Sequence, residues 1–106
     1  MLKRIKRRYL LVELDLECAP EQRTFLDAVW HAVGQLYGEY GASQTSLALI
    51  DYDLEGKRAI LRTSLVTVDL VRTALASIIR LEGKSAAVHV LAVSGTIKAL
   101  GAQAKA

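Results

Sequence analysis

Hydrophobic and polar side chains alternate near the start of the chain, over residues 9–16. A period of two predicts a strand with one buried face. Three further apolar segments also predict strands, and the middle two are joined by a short turn whose glycine is available for a positive φ. The four predicted strands cover residues 9–16, 47–53, 59–64 and 86–93.

Two other segments repeat their apolar side chains every three or four residues, which is typical of a helix with one face in a core. The first is expected to begin near Pro20, because proline suits the first helical position, and to run to about Tyr37 before Gly38 breaks the pattern. The second is expected to follow Thr67 as its N-cap and to end at Gly83 in a left-handed C-cap. A short, weak helix is expected at the end of the chain.

The predicted order is strand, helix, strand, strand, helix, strand. Two such split units build an α+β, ferredoxin-like sandwich, in which a four-stranded antiparallel sheet carries both helices on one face. Right-handed crossovers put the first and third strands at the centre of the sheet. The length of 106 residues predicts a single domain over residues 1–106, with a basic arm at residues 1–8.

Charge is strongly segregated behind the net charge of +3. Residues 1–8 hold five cations and no acid, residues 9–56 carry a net charge of −8, and residues 57–106 carry +6. Plain solvation of the surface is one explanation for so small a net charge. Segregation of this size favours a surface that binds a polyanion.

The expected location is the cytoplasm. No apolar run approaches the ~18 residues that a membrane-spanning helix needs. Glu13 and Asp15 interrupt the first apolar segment, which a signal-peptide core would not tolerate. The lone Cys18 is compatible with a reducing compartment.

The sequence offers no constellation of catalytic residues. His31 lies within a helical pattern and His89 within a strand, so each is expected to be a packed or surface residue. Asp51, Asp53 and Glu55 alternate at a strand end and could hold a divalent ion, but an acidic strand end is the favoured interpretation. We therefore assign no catalytic residue and no metal ligand.

Cations carry the candidate chemistry instead. The basic block leads into the first strand and two arginines lie on the third, which is the footprint of phosphate neutralisation. A glycine turn that opens the last helix would present free amides to an anion, although a plain helix cap explains the same spacing. The third strand lacks aromatic residues, so base stacking on the sheet is not expected. The candidate phosphate contacts are Lys3, Arg4, Lys6, Arg7, Arg8, Arg58, Arg62, Ser94, Thr96 and Lys98.

The sheet face that points away from the helices is predicted to be apolar. Such a face is normally covered by a terminal segment or by another protein. Alternation does not fix the register of the second and fourth strands, and one choice of register also puts Tyr52 on this face. The residues assigned to a protein-partner surface are Leu11, Ile50, Ile60, Leu91 and Val93.

Two blocks of the sequence resemble a known family. Lys6-Arg7-Arg8-Tyr9-Leu10-Leu11-Val12-Glu13 and Val93-Ser94-Gly95-Thr96-Ile97-Lys98 are similar to the signature blocks of ribonuclease P protein component 2, the Pop-five family of archaeal and eukaryotic ribonuclease P. Ala59-Ile60-Leu61-Arg62-Thr63 resembles the hairpin strand of that family. The resemblance spans nearly the whole chain, and the compact length is similar to archaeal members.

The resemblance implies a protein subunit of the ribonucleoprotein that removes the 5′ leader from precursor tRNA. In that enzyme the RNA holds the catalytic site and uses Mg²⁺, so the chain itself is expected to bind RNA and no cofactor. The implied partners are the catalytic RNA, precursor tRNA, a barrel-shaped protein subunit within a heterotetramer, and other subunits of the complex. The alternatives are a ferredoxin-like homo-oligomeric or small-ligand-binding module without an RNA role and, more distantly, a metal-dependent nuclease.

Overall fold

Alternating strands and helices build the chain, and the computed structural model describes residues 6–104, with side chains described as far as residue 100. In chain order the elements are β1 (Arg7–Asp15), α1 (Gln22–Ser43), β2 (Ala48–Asp53), β3 (Arg58–Ser64), α2 (Val68–Ala76), β4 (Arg80–Leu81), β5 (Lys84–Ser85), β6 (Ala87–Ser94) and α3 (Ile97–Ala104). The four long strands form an antiparallel sheet in the order β2-β3-β1-β6. The predicted ferredoxin-like plan, with the first and third strands at the centre, is confirmed.

The hydrophobic core lies between this sheet and the helices α1 and α2. From β1, Leu10, Val12 and Leu14 enter the core with at most 1% of their surface exposed. Burying a side chain of this size contributes roughly 1.5–3 kcal/mol. The helices contribute fully buried residues in turn, which are Phe25, Val29, Val33, Val71, Ala74 and Leu75.

Helix α1 is longer than predicted. Gly38 does break the helical geometry, with φ 76° and ψ 173°, which is a conformation that glycine adopts without a steric penalty. The chain then resumes its helix and continues to Ser43. The predicted end near Tyr37 is therefore wrong, because Gly38 produces a kink and not a loop.

Helix α2 is shorter than predicted and ends at Ala76. The Ser77 hydroxyl donates to a carbonyl oxygen three residues back, and Ile78 and Ile79 follow as β-branched residues that favour extended backbone. The chain then forms the small hairpin of β4 and β5. Gly83 has the expected positive φ, at 76°, but it lies in the turn of this hairpin and does not cap a helix.

Two bulges change the register of the outer strands. On β6, Leu91 has no partner across from β1, and on β2, Ile50 has none across from β3. Each bulge inserts one residue. The side chains beyond it therefore point to the face opposite to the one that strict alternation predicts. The strands that carry these bulges are the two edges of the sheet.

The bulges place two residues on the core side that the sequence had assigned to the far face. Val93 lies opposite Leu10 and packs against the core. Tyr52 lies opposite Ala59, and its ring stacks on Phe25 with 5.6 Å between the ring centroids. The assignment of Val93 and Tyr52 to the far face is therefore wrong.

Helix α3 covers part of the far face. It packs against β1 and β6, and its Leu100 is fully buried. Leu11, on the same side of β1, is only 5% exposed and lies outside the main core. Five residues were predicted to form the partner surface. Leu11 is covered by the chain's own fold and Val93 packs against the core, so Ile50, Ile60 and Leu91 remain accessible.

No helix within residues 6–104 is long and apolar enough to cross a membrane.

Candidate nucleic-acid interface

The first and last blocks of the sequence meet in space because β1 pairs with β6. Tyr9 lies opposite Ser94 in this strand pair. The Arg8 guanidinium lies against Gly95, with Nη1 3.5 Å from the position that a Cβ at residue 95 would occupy. Arg8 Nη1 also donates to the carbonyl oxygen of Arg7 at 2.9 Å. A basic side chain from the start of the chain is thus held at the turn that opens α3.

This turn is a well-formed helix start. The Thr96 hydroxyl accepts a hydrogen bond from the Ala99 amide at 3.2 Å, which is the pattern of an N-cap. The Ser94 hydroxyl accepts from the Thr96 amide at 3.2 Å. Both hydroxyls therefore shape the turn. The plain helix cap that the sequence offers as an alternative to anion binding is present in the structure. Lys98 lies one residue into α3 with its side chain exposed.

Arg62 extends the basic surface to the other side of β1. It lies opposite Tyr9 on β1 and opposite Ala48 on β2. Its Nε atom is buried and has no hydrogen-bond partner among the described residues. A buried donor without a partner is costly, so the fold keeps the Nε atom of Arg62 buried at an energetic cost.

Arg58 lies in a different electrostatic setting. Its Nη2 atom is 3.6 Å from Glu13 Oε2, at the opposite end of β1 from the basic block. His89 lies on the other side of Glu13, and its Nε2 atom is 3.5 Å from Asp15 Oδ2. Glu13 therefore balances the positive charge of Arg58 at this end of β1.

At the amino-terminal end of β1, the described residues include no acidic side chain in an ion pair with a cation. Within residues 6–104, Arg23 and Arg58 lie in ion pairs, and His89 lies within 3.5 Å of Asp15. Lys6 and Arg7 are exposed and belong to none of them. We call the cations at this end the basic edge, and its described members are Lys6, Arg7, Arg8, Arg62 and Lys98. The predicted contacts Lys3 and Arg4 lie outside the described residues.

The acidic strand end has a structural use. Asp53 Oδ1 accepts a hydrogen bond from the Gly56 amide at 2.9 Å and so closes the turn between β2 and β3. A Cβ at Gly56 would lie 2.3 Å from Asp53 Oδ2, so the glycine serves this close approach. The positive φ of the turn, 56°, belongs to Lys57 and not to the glycine. Within the described part of the chain, no three His, Cys, Asp or Glu side chains are grouped to hold a metal ion.

One exposed apolar feature was not predicted from the sequence. A short 3-10 turn, Leu65–Thr67, follows β3 and presents Leu65 and Val66 to solvent beside the basic edge. The signal in the sequence is a pair of apolar residues that lies between Ser64 and Thr67. Ser64 and Thr67 are buried, whereas the apolar pair is exposed. Helical periodicity does not distinguish this pair from the first turn of α2.

The fold and the basic edge together define a ferredoxin-like domain with a cationic end. The sequence model of the Rpp14/Pop5 family matches residues 8–105, and the chain belongs to this family. This confirms the resemblance that the two sequence blocks indicated.

Individual proteins that are similar to this chain support its membership of the family. Ribonuclease P protein component 2 of Methanosarcina mazei is 33% identical over 95 residues, which cover 90% of this chain and 80% of that protein. The protein of the same name from Pyrococcus horikoshii is 30% identical over 97 residues, covering 92% and 81%. A chain in the cryo-EM structure of yeast ribonuclease MRP has the same fold, with a TM-score of 0.73 at 15% identity, over 99% of this chain and 95% of that one.

Proposed function

We propose that this chain is a protein subunit of ribonuclease P, the ribonucleoprotein that cleaves the 5′ leader from precursor tRNA. The observation that carries the proposal is family membership over residues 8–105, together with relatives named ribonuclease P protein component 2. The basic edge gives this membership a physical meaning, because unbalanced cations on a central strand suit a phosphate backbone.

The basic edge would bind RNA by neutralising phosphates. Arg7 and Arg8 begin the central strand β1, and Lys6 directly precedes it. The neighbouring strands β3 and β6 restrict the movement of β1. Each phosphate that such a cation contacts releases counterions, which makes binding strong and dependent on salt. Contacts of this kind position a folded RNA but carry little sequence information. Lys3 and Arg4 would extend the edge, and Ser94, Thr96 and Lys98 would add the start of α3.

The phosphodiester chemistry is assigned to the RNA of the complex and its Mg²⁺, and this chain is proposed to bind no cofactor of its own. The two histidines lie in different parts of the fold and contact different side chains, so they do not form a shared catalytic site. His31 Nε2 lies 3.3 Å from Gln35 Nε2 on α1, whereas His89 pairs with Asp15 at the edge of the sheet. The endoribonuclease activity would therefore belong to the assembled enzyme, which we expect in the cytoplasm.

Protein partners would use the accessible part of the far face. Ile50 is 36% exposed and Leu91 is 45% exposed, and both project from the bulged edge strands. Bulged edges do not readily add another strand, so side-chain contacts are the expected mode of binding. We propose that this surface meets a barrel-shaped subunit within a heterotetramer, and that other subunits join through the RNA.

Affinity purification of the tagged chain from its own cells, without nuclease treatment, tests the proposal. The expected result is a complex that contains further proteins and an RNA able to cleave precursor tRNA. A pure homo-oligomer that retains no RNA would contradict it. That result would favour the homo-oligomeric or small-ligand-binding module instead.

A further inference from the structure

The turn between β3 and α2 exposes two apolar side chains, Leu65 and Val66, which we call the apolar tip. Val66 is 89% exposed, the largest fraction for any large hydrophobic side chain in the described part of the chain, and Leu65 is 38% exposed. Isolated exposed apolar residues are common on protein surfaces. The apolar tip differs because the structure beneath it fixes its position.

A network of buried hydroxyl groups holds the tip. The Thr67 hydroxyl lies 2.8 Å from the Thr63 hydroxyl and 2.6 Å from the Ser64 hydroxyl. Thr63 also donates to the carbonyl oxygen of Thr45 at 2.8 Å. All four residues are at most 7% exposed. Fully satisfied buried networks of this kind fix one backbone geometry, so the tip is held in place by its own fold.

The tip is continuous with the basic edge. The Leu65 amide donates to the carbonyl oxygen of Lys6 at 2.8 Å, and Arg7 lies opposite Ser64 in the strand pair. Asp69 is the nearest acid along the chain, and it lies in the first turn of α2, where the positive end of the helix offsets its charge. The tip therefore combines a fixed apolar surface with flanking positive charge.

Such a combination matches the chemistry of a nucleotide. An unpaired nucleotide presents an apolar base face between two phosphates, and apolar side chains are known to pack against unstacked bases. A stable protein interface buries about 800 Å² on each partner, so the two side chains of the tip do not form such an interface by themselves. Lys6 beside the tip also argues against a protein partner, because lysine is depleted at protein interfaces.

We propose that the apolar tip packs against an unpaired base of RNA, while Lys6 and Arg7 contact the phosphates on either side of it. The inference rests on the proposed RNA-binding function and adds a contact that does not depend on charge. The tip would thus direct the basic edge to places where an RNA stem opens into a loop or an end.

The test compares the wild-type chain with Val66→Ser on two RNA probes of equal phosphate number. One probe is a hairpin with an unpaired loop, and the other is a duplex without unpaired bases. We expect the variant to bind the hairpin at least about fivefold more weakly, because the serine side chain loses the apolar contact with the base. Its affinity for the duplex and the salt dependence on both probes are expected to match the wild type.

Leu54→Ser is the matched control. Leu54 is 52% exposed in the turn between β2 and β3, at the opposite end of the sheet from the tip. This control is expected to bind both probes as the wild type does. A similar loss on the hairpin for the two variants would overturn the proposal, because exposed apolar surface in general would then explain the effect.

Three other outcomes also decide the matter. Unchanged hairpin binding by Val66→Ser would overturn the proposal. So would a variant that binds RNA normally but loses a protein subunit on purification, because the tip would then be a protein contact. If the wild-type chain binds neither probe at low salt, the proposed RNA-binding function is wrong. The inference about the apolar tip is then wrong as well.

Discussion

The Arg8 guanidinium rests against Gly95, with Nη1 3.5 Å from the position of a Cβ that glycine lacks. A larger side chain at residue 95 is therefore expected to displace the guanidinium from the start of α3. Gly95→Leu should weaken RNA binding by roughly 10-fold, because a charge-assisted hydrogen bond contributes about 1.5 kcal/mol. Arg8→Ala should cause a similar loss.

A double-mutant cycle on these two residues checks the account. If Gly95→Leu acts through Arg8, combining the two substitutions should cost no more than either alone. Gly95→Ala serves as the control, since its Cβ would make an ordinary van der Waals contact with Arg8. Additive losses in the double variant would show that the two residues act independently.

The charge on the basic edge should appear in the salt dependence of RNA binding. Replacing Arg7 or Arg8 by alanine should reduce the slope of log affinity against log salt by roughly 0.7–0.9 for each phosphate that the variant no longer neutralises. Arg58→Ala should change the slope less, because Arg58 already pairs with Glu13 at 3.6 Å. Filter binding across a salt series measures all three variants.

Arg23→Ala is the matched control for this series. Arg23 lies on α1, away from the basic edge, and its side chain is 90% exposed. The substitution removes one positive charge without touching β1. A slope that falls equally for Arg23 and Arg7 would mean that net charge alone drives binding.

The central strands could be predicted from sequence because their two faces differ. β1 and β3 alternate between core and far face, and Leu10 and Leu61 are both fully buried as the pattern indicates. The edge strands are apolar on both sides, so alternation does not report where one extra residue enters. Leu91 and Ile50 are those extra residues, and the error at Val93 follows from the first of them.

Long-range contacts explain what else the sequence left open. The approach of Arg8 to Gly95 depends on the register between β1 and β6, which no local pattern contains. The covering of Leu11 depends on α3, whose eight residues give only a weak helical signal. The residues of the basic edge could thus be named from the sequence, while their spatial arrangement had to come from the pairing of distant segments.

The hydroxyl network beneath the apolar tip should contribute to stability. Thr63→Val keeps the shape of the side chain but leaves the buried hydroxyl of Thr67 and the Thr45 carbonyl oxygen without the Thr63 hydroxyl as a partner. We expect a loss of about 1–3 kcal/mol in the free energy of unfolding. Chemical denaturation of the variant and the wild type measures this difference.

The control for this experiment is Thr73→Val on α2. Thr73 is exposed, and its hydroxyl donates to the Asp69 carbonyl oxygen at 3.0 Å. Substitutions at such surface positions usually change the free energy of unfolding by less than about 0.5 kcal/mol. If both variants lose the same free energy of unfolding, the buried hydroxyl network contributes no more to stability than an exposed hydroxyl does.

Tyr52 should make the fold sensitive to alkaline pH. Burial raises the pKa of its phenol, and the negative charge of Glu82 adds to this shift. The pKa in the unfolded chain is about 10. Because the folded-state pKa is the higher of the two, the unfolded state loses its proton first. The folded state is therefore penalised as the pH rises above about 10.

Tyr52→Phe tests this dependence. The variant loses the hydrogen bond from the phenol to the Pro20 carbonyl oxygen, which should cost roughly 0.5–1.5 kcal/mol at neutral pH. Its free energy of unfolding should then fall less steeply than that of the wild type above about pH 10. Tyr40→Phe, at an 80% exposed position, should follow the wild-type curve. Identical slopes for Tyr52→Phe and the wild type would contradict the assignment.

Reconstituted cleavage of precursor tRNA tests the central claim most directly. The RNA of the complex and the other protein subunits are assembled with the wild-type chain, without it, and with the chain that carries Arg7→Ala and Arg8→Ala. We predict that omitting the chain lowers turnover or substrate affinity, or raises the Mg²⁺ requirement, and that the double variant restores less activity than the wild type. If turnover, substrate affinity and Mg²⁺ requirement are all unchanged when the chain is omitted, it is not a functional subunit of ribonuclease P.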